Sequence, residues 1–288
     1  MSNTEHLFLL CVEACDRIVL AEALVVVKNA TTNLHGKISE SISALQKEDS
    51  VKIRCIWEHN GNDSLIYAEN LAGAFTRGET REIALDKMED EVKSFLRWKG
   101  EALPENLEIV VAQEWASGLD ICDADSDVIF DEEKSILTQD EYLYLKELAL
   151  KSARDFYALY SAVPDKHASV LPNKITFLGP RPRTAHEMYE HTKSVNSYYF
   201  GEIGVAVDSE GTIFECRERG FALLEKQEDF LRNEVMTGSY DEAWSLKKVL
   251  RRFIWHDRIH AKAMYRMAVK TFGEGVVPDV FKFTAQED

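Results

Sequence analysis

The chain of 288 residues holds eight histidines, and three of them stand where imidazole nitrogens could meet. His256 and His260 are four residues apart, so on a helix their rings lie one above the other on one face. Chance alone supplies about 0.2 such pairs at this length and histidine content, so the surroundings must decide. Val249, Phe253, Ala263 and Met267 share the stripe and turn it inward. His191 sits on a second apolar stripe with Met188, Val195 and Tyr198. Three inward imidazoles must be satisfied. A divalent metal would do so at once, with zinc or nickel foremost and iron or manganese as alternatives. Three neutral imidazoles leave coordination positions for water or substrate, the pattern of catalytic sites. Two alternatives stay open: each ring bonds a neighbouring Tyr or carboxylate, or the rings fill the core without a metal. His186, five residues before His191, is expected near solvent in the first turn of its helix.

Asn196, Tyr198 and Asp257 lie close enough along these helices to fix ring tautomers from behind. The helix bearing His256 also carries Lys247, Lys248, Arg251, Arg252, Arg258, Lys262 and Arg266, which reads as an outer face paired with acids of adjacent helices. A sharper expectation is that Arg258 or Lys262 stands at the site mouth and attracts an anionic substrate. His256-Asp257-Arg258-Ile259-His260 is one methylene from the HExxH of zinc proteases. Asp reaches a metal-bound water less well than Glu, and only Glu274 and Glu287 remain downstream as strong third-ligand candidates. The protease reading is therefore set aside.

Four helical patterns must position these residues. Three open with a hydroxyl residue and a Glu three positions on, the reciprocal capping sequence: Thr138/Glu141, Thr184/Glu187 and Ser239/Glu242. The first helix keeps Leu145, Ala149, Ser152, Phe156, Leu159 and Val163 on one face, and the third presents Phe221, Leu224, Leu231 and Val235. Earlier in the chain, Val51, Ile53, Cys55 and Trp57 alternate with polar residues and run into Asn60-Gly61, a strand and turn. Ser64 to Glu69 should pair back, a short segment lies between Gly73 and Gly78, and Thr80 caps a helix with the stripe Ala84, Met88, Val92 and Phe95. Leu107 to Gln113 reads as a further strand. Asp123, Asp125 and Asp127 resemble a calcium loop but lack its Gly and its bidentate Glu, Val128 and Lys134 standing there instead. The expected organisation is α+β in two domains: an unassigned segment 1–50, an α/β module 51–118, an acidic linker 119–135 and a four-helix bundle 136–288. Cys11 and Cys15 are expected to pack one helical turn apart.

Two stretches carry family resemblances. Tyr67-Ala-Glu-Asn-Leu-Ala-Gly73 followed by Arg77-Gly-Glu-Thr80 and Ala84, within a β-β-β-α-β order of about 65 residues, resembles the HicB-like antitoxin fold. That likeness implies a small module that binds a protein partner. Gly179-Pro-Arg-Pro-Arg-Thr-Ala185, then Met188-Tyr-Glu-His191-Thr-Lys-Ser-Val-Asn-Ser-Tyr-Tyr199, then Trp244-Ser-Leu and Phe253-Ile-Trp-His256-Asp-Arg-Ile-His260-Ala-Lys-Ala look like the DinB-like superfamily. The resemblance spans about 135–275. It implies a four-helix bundle whose metal is held by His191, His256 and His260, and a thiol-dependent S-transferase or a hydrolase-like activity on a small-molecule thiol. A homodimer is a further expectation for such bundles.

Fifty acidic residues against 34 Lys and Arg give a net charge of −16, a field that repels phosphate backbones and anionic membrane surfaces, so neither nucleic acid nor membrane is an expected partner. Five cysteines without a CxxC spacing signal no disulfide framework. The apolar stretch from Leu7 to Val27 is broken by Glu13, Asp16, Arg17 and Glu22, so neither signal peptide nor membrane span is read there. A cytoplasmic location is the expectation.

Overall fold

The computed structural model describes residues 50–61, 63–121, 125–176 and 179–284. The pair Cys11/Cys15 and Asp123 lie outside them. Strand β1 (Val51–His59) pairs antiparallel with β2 (Ser64–Ala68), Cys55 opposite Ala68 and His59 opposite Ser64. β2 pairs with β3 (Phe75–Gly78), and β4 (Leu107–Ala116) lies on the far side of β1, giving the order β3-β2-β1-β4. The expected helix after Thr80 forms as two. Thr80 Oγ1 accepts from Ile83 N to open α1 (Arg81–Leu85), and α2 (Met88–Lys99) follows and ends on Gly100 at φ +78°. That left-handed value suits glycine, which has no Cβ to clash. Ala84, Met88, Val92 and Phe95 are all fully buried, in one cluster with Ile53, Cys55, Ile66 and Ala68.

The opposite sheet face is closed by something the sequence did not advertise. Ile56, Leu65, Tyr67 and Phe75 pack against Ile121, Val128, Phe130 and Trp255. The 119–135 stretch, expected to be a solvated acidic linker, thus supplies core. Its attachment is the carboxylate of Glu58, fully buried on β1: Oε1 accepts from the backbone N–H of Asp127 and Val128 (3.0 and 3.3 Å), and Oε2 from Ser126 Oγ at 2.6 Å and Tyr67 OH at 3.3 Å. Burial raises the pKa of Glu58 above the ordinary carboxylate value, against which these hydrogen bonds work.

Helices α3 (Gln139–Ala162), α4 (Ala185–Gly201), α5 (Ile213–Leu224) and α6 (Leu246–Phe272) pack against one another: α6 on α3 and α4, and α5 on the same two. Thr184 and Glu187 form the full reciprocal cap on α4, and Thr138 accepts from Glu141 N on α3. Ser239 caps nothing helical. The cap of α6 is Ser245, six residues later, and Glu242 pairs instead with Lys248 at 2.8 Å. The second complete box is Thr212/Glu215 on α5. α5 stops at Leu224, so Leu231 and Val235 fall outside the helix and Val235 is exposed.

Every residue of α6 from Leu246 to Arg258 is buried, which corrects the expected outer basic face. α3 and α4 cover one side of the helix, and residues 126–133 together with α2 cover the other, so the cations point into protein. Arg251 pairs with Glu133, Arg252 donates to Ser126 O at 2.8 Å, and Lys248 donates to Asp127 O and Ala243 O, both at 2.8 Å. One apolar cluster runs from Ile53 on β1 to Phe253 on α6, and Lys52–Leu103 with Leu107 onward form one compact unit. The result is an α+β fold in which the sheet and the four helices share a core.

Gly220 on α5 illustrates the packing. A Cβ there would collide with the Phe200 ring of α4. Gly220→Ala is expected to cost about 1–3 kcal/mol by overpacking, read as a lower denaturant midpoint with unchanged m-value.

Candidate metal centre

His191 projects from α4, and His256 and His260 from successive turns of α6. Their ring centroids are 5.1 Å (His191 to His256), 4.7 Å (His191 to His260) and 4.5 Å (His256 to His260) apart. One nitrogen from each ring can be chosen so that all three lie within 4.8 Å of one another. The cluster can hold a metal ion. It opens to one side: His191 is exposed, His260 is half-buried and His256 is 9% exposed. The buried face of α4 explains this. It runs through Met188, Tyr189, Thr192, Asn196, Tyr199 and Phe200, one position round from the expected stripe of Met188, His191, Val195 and Tyr198, so His191 sits at its border.

The electrostatics favour neutral rings. Burial pushes the pKa of His256 well below the ordinary imidazole value, with His260 and His191 adding to the shift. Burial, then His191 and Arg181, pushes that of His260 down to about 3. Burial likewise lowers that of His191. Neutral imidazole is the form that binds a cation. Among the described residues His256 Nδ1 is buried without a hydrogen-bond partner, which costs on the order of 1–3 kcal/mol unless something occupies the lone pair or takes the proton. Three neutral nitrogen donors, one of them orphaned, fit a borderline-soft divalent ion.

The residues expected around the triad go elsewhere. Asp257 makes a bidentate pair with Arg217 (2.6 and 3.0 Å), both side chains fully buried. Asn196 Oδ1 accepts from Arg217 Nε at 3.0 Å and Asn196 Nδ2 donates to Lys193 O at 2.8 Å. One guanidinium, which also donates to Ala149 O at 2.9 Å, thereby ties α5 to α3, α4 and α6. Tyr198 packs its ring on Tyr199 and Trp244. None of the three bonds a triad imidazole. Arg258 and Lys262 are not at the mouth either: Arg258 Nε and Lys262 Nζ both donate to Glu91 of α2, at 2.6 and 2.9 Å.

Two neighbours were missed. Tyr199, buried, sets its ring edge-on to His256 at 6.1 Å, and the one-residue offset of the α4 stripe hid it. Arg181, exposed, is the cation acting on His260, and it lies in the Pro-Arg-Pro-Arg run before α4. His186 stands outside the triad. No helix among the described residues is long and apolar enough to cross a membrane.

The arrangement defines a class: an α+β protein with a half-open three-imidazole site between two packed helices. Compared with family models, curated proteins and solved structures, the chain matches none.

Proposed function

We propose that this chain is a divalent-metal-binding protein of DinB-like type, with zinc or nickel, and next iron or manganese, held by His191, His256 and His260. Its activity on this reading is metal-dependent S-transfer to or from a small-molecule thiol, or a hydrolase-like reaction. The observation that carries it is the convergence of three neutral imidazoles from two helices, one with an orphaned nitrogen, at a site open on one side. A divalent ion among three neutral ligands keeps its full charge and makes a thiol or water beside it far more acidic than in bulk. The chain's own residues hold and orient. Tyr199 walls the buried side of His256, and Arg181 offers an exposed positive charge beside His260, the role first expected of Arg258 and Lys262. The HicB-like likeness of the sheet implies a protein partner, but every residue of β2 is buried, which favours the metal site over the sheet face as the working surface.

The test is metal content by plasma mass spectrometry on protein purified without chelators, followed by conjugation of a thiol to an electrophile. One tightly held ion per chain is expected, lost in His191→Gln and in His260→Gln together with any conjugation. Metal content unchanged in both variants would end this reading.

A further inference from the structure

A second pair of imidazoles lies outside the triad. His167 follows α3, and His186 is the second residue of α4. Their ring centroids are 4.7 Å apart with planes tilted by 53°. Within the triad, rings lie 4.5–5.1 Å apart at tilts of 39–66°, so the outer pair repeats the ring spacing and tilt of the triad. Neither outer imidazole has a hydrogen-bond partner among the described residues. His167 is exposed and His186 half-buried.

The pairing is built by the backbone rather than by two loose side chains drifting together. His186 N donates to Lys166 O at 2.9 Å, which ties the loop to the first turn of α4. Asp165 Oδ1 accepts from His167 N at 2.9 Å and from Ala168 N at 3.3 Å, which folds the loop on itself. The one cation in that turn is directed away: Lys166 Nζ donates to Ser161 O at 3.0 Å and to Val163 O, at the end of α3. Two imidazoles already placed as neighbours lose less side-chain entropy on chelation than two free ones.

We propose that His167 and His186 form a second, solvent-facing metal site, a bis-imidazole chelate for a late first-row divalent cation, copper(II), nickel(II) or zinc(II). Imidazole suits these ions, copper most of all, and nitrogens about 2.0–2.1 Å from a common ion are compatible with rings this close. Two protein ligands with water completing the shell bind more weakly than three. The site stands whether or not the triad takes a metal.

The full-length protein is titrated with copper(II), free ion being fixed by a weak competing chelator. The readouts are bound metal after equilibrium dialysis and the electron paramagnetic resonance signal with its nitrogen splitting. The unsubstituted chain is expected to bind a weak equivalent in addition to any tight one, with two-nitrogen coordination. His167→Gln/His186→Gln should remove the weak equivalent alone, and His191→Gln/His256→Gln/His260→Gln should leave it. His186→Gln by itself should weaken it roughly tenfold or more, about 1.4 kcal/mol at least. A chain that shows no weak equivalent, or one that survives the His167/His186 double substitution, overturns the proposal. Loss of the tight equivalent's existence altogether would strike only the triad reading.

Discussion

Glu91→Ala is expected to destabilise the protein by about 3–5 kcal/mol, the range for removing one partner of a buried ion pair. Glu91 is 5% exposed on α2 and takes Arg258 Nε and Lys262 Nζ from α6, 167 and 171 residues away in the chain. Arg258 itself is fully buried. Its other bonds, to Ser94 Oγ at 2.8 Å and Phe281 O at 3.3 Å, carry no countercharge, so alanine would strand a guanidinium in protein. Urea unfolding at pH 7 reads the loss; a change under about 1 kcal/mol would mean that water or another carboxylate replaces Glu91. The pH dependence has a definite sign. Burial alone would raise the pKa of Glu91, but Arg258 and Lys262 outweigh it and hold it below the ordinary range. A depressed folded value contributes stability that is complete above the unfolded value, about 4.3, and disappears as the pH falls through the folded one. The difference between the unsubstituted chain and Glu91→Gln should therefore narrow only below about pH 4.

This interaction shows what in the fold was legible and what was not. Most local signals held, Ser239/Glu242 excepted: the alternation on β1, the cap at Thr80, the stop at Gly100 and the Thr184/Glu187 box all act within a few residues of where they are written. The His256/His260 spacing belongs to the same kind. Long-range burial was not legible. Nothing local distinguishes a basic helix bathed in solvent from α6, because the acids that neutralise it, Glu91, Glu133 and Glu242, sit on separate segments. Glu58 reads as the polar side of an alternating strand until residues 126–128 are seen to fold over it and donate to its carboxylate. Asp257, adjacent to a candidate ligand in sequence, points a different way round the helix, to Arg217. Proximity along a chain predicted a role beside the metal that the helical twist denies. The offset stripe of α4 has the same cause: its apolar residues fit two neighbouring registers, and packing against α5 and α6 selects the one that leaves His191 at the rim.

The triad should reveal itself as a crossing of stabilities in His256→Leu. In chelator, the unsubstituted protein buries an imidazole whose Nδ1 has no partner among the described residues. Leucine has similar bulk and no polar atom, so the variant is expected to be about 1–3 kcal/mol more stable under those conditions. With zinc or nickel at a thousandfold excess over its dissociation constant, the unsubstituted chain gains about 4.1 kcal/mol by mass action. The variant lacks the innermost of three ligands and should gain little. Thermal melts of both proteins, each with chelator and with metal, give four midpoints, and the order must invert between the two conditions. A variant less stable in chelator, beside an unsubstituted protein indifferent to metal, would show that the three rings pack for structure alone. The inversion separates the two because a structural histidine answers only to its neighbours, whereas a ligand's contribution scales with the concentration of what it binds.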